Sequence, residues 1–138
     1  MTKLKYAVLL LLSMYFAACS LTLPVEGRMQ NSNERFLGET TGYLSGKGEL
    51  TVTLMSGSEC LGAFQYAKSG KSGKGTLTCN DGRSGTFIFT SNGTRGNGFG
   101  KTTNGEMFTF RFGDPDYIGI KEVEWREVEK IYNKGNQQ

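Results

Sequence analysis

Three cysteines, one lysine-rich loop and a thin scatter of carboxylates carry whatever chemistry this 138-residue chain can do. There is no histidine, which removes the commonest general base and metal ligand. Glu49, Glu59, Asp81 and Glu106 lie too far apart in sequence to suggest an acid/base pair, and Asp81, between Asn80 and Gly82, reads as a turn residue. The run Lys68-Ser-Gly-Lys-Ser-Gly-Lys-Gly75 has the composition of a phosphate loop. The glycine required five residues before Gly70 is Gln65, however, and the run joins two strand-like segments instead of opening a helix. It reads as an exposed basic hairpin loop in which Lys68, Lys71 and Lys74 would meet a protein partner or an anionic surface. Asn92-Gly-Thr94 matches a glycosylation sequon, but an Asn-Gly turn accounts for it. No catalytic residue, metal site, cofactor or small-molecule substrate is expected, and the chain reads as a non-enzyme.

The elements that must position these groups are repeated hairpins. Three stretches, GKGELTVTLMSGSECLGAF, GKGTLTCNDGRSGTFIF and GNGFGKTTNGEMFTFRF, each open on Gly-x-Gly, cross a Ser-Gly, Asp-Gly or Asn-Gly turn and close on phenylalanines. Turn dipeptides of this kind between alternating apolar residues are the strongest short-range hairpin signal. Leu50, Val52 and Leu54 alternate with threonines, as do Leu77 with Thr76 and Thr78, Phe87 and Phe89 with Thr86 and Thr90, and Phe108 and Phe110 with Thr109. Each strand thus has one dry face and one largely threonine face, which predicts an antiparallel sheet covered on one side. The glycines, most of them between Gly38 and Gly113, read as hairpin-end residues that supply positive φ. The expected fold is all-β: an antiparallel meander or small barrel-like roll of about six to seven strands. Pro115 ends it. Residues 117–132 fit either a strand or a helix; the apolar arc Ile120, Val123, Val128, Ile131 and Tyr132 favours a short C-terminal helix from about Lys121.

At the N-terminus, Lys3 and Lys5 precede an apolar run from Tyr6 to Ala18, which closes on Phe16-Ala17-Ala18-Cys19. The run is too short to span a bilayer and has the layout of a secretory leader. This stretch resembles bacterial lipoprotein precursors, in which a lipobox is cleaved before a cysteine that is then acylated. The resemblance implies lipidation of Cys19, and Ser20 in place of Asp implies retention at the outer membrane, facing the periplasm. The expected organisation is a leader over 1–18, a lipidated tether over 19–34, a hairpin-repeat domain over 35–113 and a packing segment over 114–138. Without the leader's two lysines the formal charge of +3 falls to near neutral, which leaves no electrostatic footprint for nucleic acid. The repeats lean basic and the last segment acidic, which fits either two solvated surfaces or a tail docked on its own domain.

With Cys19 assigned to lipid, Cys60 and Cys79 remain as a pair on the dry faces of consecutive strands. Pairing 60 with 79 sets 62 opposite 77 and 64 opposite 75, a self-consistent antiparallel register that brings the two cysteines within disulfide reach. An exported chain meets an oxidising compartment that favours the bridge. The repeats themselves resemble the MORN hairpin unit, and the run Cys79 to Gly85, Cys-x-Asp-Gly-Arg-x-Gly, resembles a motif of bacterial envelope proteins; neither implies an activity. The expected function is that of a lipoprotein anchored in the membrane, with a structural or assembly role beside a protein partner in the cell envelope. The alternative is a binding or inhibitory module, such as a hydrolase or lysozyme inhibitor, that uses the basic loop as a plug.

Overall fold

A computed structural model describes residues 2–7, 19–120 and 123–136; most of the leader, Val8 to Ala18, lies outside the described residues. Eight strands follow one another: β1 (Ser20–Met29), β2 (Arg35–Tyr43), β3 (Lys47–Leu54), β4 (Glu59–Tyr66), β5 (Ser72–Cys79), β6 (Ser84–Asn92), β7 (Arg95–Thr102) and β8 (Met107–Phe112). Each pairs antiparallel with the next, and β1 pairs with β8 from Val25↔Phe112 to Met29↔Phe108, so the sheet closes into a barrel. The expectation of a meander or roll of six to seven strands is thereby corrected, and so is the tether. Residues 20–29 supply the first strand, because Leu21, Leu23, Val25, Gly27 and Met29 alternate inward across Pro24. Pro24 stands at the point where β1 outruns β8, with its carbonyl accepting from the Gly113 N–H at 3.1 Å as the last bond of the seam. A residue without an N–H suits the strand edge beyond that point.

The glycines are used in two ways, and only one matches the expectation. At one end of the barrel three turns repeat a single geometry. Leu54, Cys79 and Thr102 each donate to the carbonyl four residues on, with Gly57, Gly82 and Gly105 at φ of 99°, 91° and 92°. This is a type I turn followed by a glycine bulge. The strand glycines do something else. Gly27, Gly48, Gly73, Gly75, Gly96, Gly98 and Gly100 lie directly opposite Phe36, Phe64, Phe89, Phe87, Phe112, Phe110 and Phe108. A Cβ on any of them would overlap its partner's ring. Each ring lies across the backbone of the neighbouring strand, a cross-strand pairing that shields glycine and lets a small barrel hold seven phenylalanines. Gly98→Ala is therefore expected to destabilise by about 1–3 kcal/mol, the range for overpacking. Gly42→Ala, where a Cβ meets nothing within 4 Å, should stay within about 0.5 kcal/mol. Urea denaturation of the two variants checks the contrast.

Outside the barrel, α1 (Pro115–Ile118) turns the chain and α2 (Trp125–Asn136) packs against β6–β8. Val128 and Tyr132 cover Met107, with Ile88, Phe99, Val123 and Trp125 around them, and the Tyr132 hydroxyl pairs with Thr86 Oγ1 at 3.0 Å. Ile88, Phe99 and Met107, the apolar residues on the threonine face, are thus the helix's docking site. Helix wins over strand from Trp125 onward, four residues later than expected.

Candidate functional site

The two ends of the barrel differ in chemistry. At the turn end the interior is shut. Cys60 and Cys79, opposite one another between β4 and β5, are joined by a disulfide, with Gly62↔Leu77 and Phe64↔Gly75 in the register the sequence required. Below the bridge only about 20 Å³ of space remains, between Met29, Phe36, Leu54 and Leu77. Arg83 lines that space and meets Asp81 at 2.6 Å and the buried Glu106 at 3.9 Å, while Arg35 meets Glu26 at 2.8 Å on the outward side of β1 and β2. The Arg83 side chain, donating to Asp81, holds that carboxyl well below the usual carboxylate range, and the same bond pushes Arg83 up.

The other end is open. β1 and β2 run past β8 here, and Leu21 and Leu23 lean over a mouth lined by Leu50, Phe64, Tyr66, Phe89 and Phe112. The cavity behind it is about 60 Å³. Phe64, Tyr66 and Phe89 meet edge to face at 5.1–5.9 Å, the preferred arrangement of aromatic quadrupoles. Beside the mouth, Arg95 stacks on Tyr117 and pairs with Asp114.

The sequence-derived candidates separate on this frame. Cys19 sits at the mouth rim, exposed and unbridged, its carbonyl accepting from the Leu44 N–H at 3.3 Å. Lys68 and Lys71 lie in the short β4–β5 connection at the same rim, and both are exposed. Lys74 does not join them: it stands on the outer wall of β5, between the inward Gly73 and Gly75. The sequence reading overlooked the rim's apolar members Leu21, Tyr43 and Leu44, although the alternation of Leu21, Leu23 and Val25 was there to be found.

These observations define an up-and-down, closed eight-stranded antiparallel β-barrel, sealed at one end and cupped at the other. No family model matches the chain, and no curated protein matches it. Among solved structures it is similar to a de novo designed fluorescence-activating β-barrel, with 12% identity, a TM-score of 0.52, and coverage of 67% of this chain and 89% of that one. It is also similar to a redesigned β-barrel, mFAP1, bound to DFHBI, with 13% identity, a TM-score of 0.54, and coverage of 67% and 92%. At such identities the likeness concerns the fold alone.

Proposed function

We propose that the protein is an exported lipoprotein, held by an acylated Cys19 on the periplasmic face of the outer membrane, with a structural or assembly role exerted through the barrel's outer surface. The observation that carries the second half is the filled interior. Seven phenylalanine rings leave about 60 Å³ at the mouth, against about 300–1,000 Å³ in pockets that hold small molecules. A barrel packed this way recognises with its walls and loops, so its partner is a protein of the cell envelope. The exposed Cys19 thiol at the start of β1 supports the anchor. Stable attachment requires more than one acyl chain, since a single chain gives only marginal binding.

In cells labelled with radioactive palmitate, Cys19→Ser is expected to abolish the label and to move the protein out of the membrane fraction. Label that persists overturns the anchor. Cross-linking in intact cells should return one envelope protein with the wild type and lose it with Cys19→Ser; recovery of the barrel alone from both overturns the assembly role.

A further inference from the structure

The geometry points to the open rim as a surface that rests on an anionic lipid bilayer, so that the barrel stands mouth-down on the membrane. This extends the anchoring reading and rests on it for biological setting, but its physics is independent of acylation. Three observations converge on one end of the barrel. Leu44 is 83% exposed, Leu21 51% and Tyr43 42%, an apolar crest at a rim that needs none of them for its core. Lys47, Lys68 and Lys71 surround that crest, and among the described residues none of them enters an ion pair. Of the acids nearby, Asp114 is paired with Arg95, Glu49 accepts from the Tyr43 hydroxyl at 3.4 Å, and the exposed Asp116 stands against three free lysines. The third observation is where the chain leaves. Cys19 is bonded into this same rim, so whatever precedes it departs from the mouth and not from the sealed end.

The sealed end has the opposite character. Glu26, Glu34, Glu59, Asp81 and Glu106 outnumber Arg28, Arg35 and Arg83 there, and most of these are paired with one another. An apolar crest ringed by unpaired lysines matches an anionic interface. Leucine and tyrosine side chains enter the headgroup–acyl boundary, while each lysine near the surface gains roughly a fivefold increase in partitioning.

The test uses residues 19–138 carrying Cys19→Ser, a span that contains the whole barrel and its helix. Association is measured by co-sedimentation with vesicles of phosphatidylcholine containing one-third phosphatidylglycerol, and with pure phosphatidylcholine. Binding is expected on the anionic vesicles only, weakening with added salt. Lys68→Gln with Lys71→Gln should reduce it about 25-fold, and Leu44→Ser should reduce it as well. Met55→Ser, an exposed apolar residue at the sealed end, should leave it unchanged. Far-ultraviolet circular dichroism confirms that each variant is folded. Equal association with both vesicle types, association with neither, or a loss with Met55→Ser as large as with Leu44→Ser overturns the inference. The acylation of Cys19 stands or falls separately, on palmitate labelling of the wild type.

Discussion

Phe110→Ala is expected to cost about 3–5 kcal/mol, the range for deleting a buried aromatic. Its ring is 4% exposed, lies across Gly98, and meets Phe87 edge-on at 5.5 Å. Truncation would remove those contacts and bare the backbone of β7 at Gly98, which stands opposite it. The adjacent residue supplies the contrast. Thr109 points outward, and alternation alone makes it a surface position. It is nevertheless buried, because the C-terminal segment packs over this part of the wall, and its Oγ1 donates to the Gly98 carbonyl at 3.1 Å. Thr109→Ala should therefore cost about 1 kcal/mol, the worth of one such hydrogen bond. Chemical denaturation measures both; a larger loss at Thr109 than at Phe110 would invert the inward and outward faces.

Replacing Cys60 and Cys79 together by alanine is expected to cost about 3 kcal/mol, the chain-entropy value for a closed loop of this size. The two cysteines are 19 residues apart in sequence. The sulfurs also fill space: Cys60 is 1% exposed in the main core, so the substitution leaves a small void on top of the lost cross-link. Mass spectrometry of the non-reduced protein should recover the two cysteine peptides linked. Two alkylated thiols in the native protein would refute the bridge, and an unchanged denaturation midpoint in the double variant would refute its weight.

Three of the four hairpins are legible in the sequence, from Gly46 to Phe112, because strict alternation and Ser-Gly, Asp-Gly or Asn-Gly turns coincide there. The first hairpin is not. Pro24 and Gly27 interrupt its opening strand, and the turn from Gln30 to Glu34 is one residue longer than the others, with Asn33 and not a glycine at positive φ. Missing that hairpin turns a closed barrel into an open sheet and a strand into a tether. The strand glycines mislead for a related reason, since a glycine chosen for its missing Cβ and one chosen for its φ are the same letter. What separates them is pairing across strands: Gly73 and Gly75 face Phe89 and Phe87, and Gly96, Gly98 and Gly100 face three phenylalanines of β8. The disulfide is legible because both cysteines share the dry face. The rim is legible only in pieces. Lys68 and Lys71 stand out as a loop, whereas Leu21 and Leu44 gain meaning only once the β1–β2 pairing sets the start of β1 beside the β2–β3 turn. Ile88, Phe99 and Met107, out of place among threonines, were the unread signature of the helix.

Every neighbouring pair in the barrel is joined by a short turn except one, the seam between β1 and β8. Hairpins can zip outward from their turns, at little cost in loop entropy, while the seam must bring together the first and last strands of the domain. Its ladder is also the shortest, five residue pairs from Val25 to Met29. Closure is thus a late and non-local event. A chain that emerges N-terminus first cannot complete the barrel until Phe112 is free, and the sheet stays open until then. A chain interrupted within β8 would instead present two raw sheet edges to its neighbours, the state from which barrels and sheets aggregate.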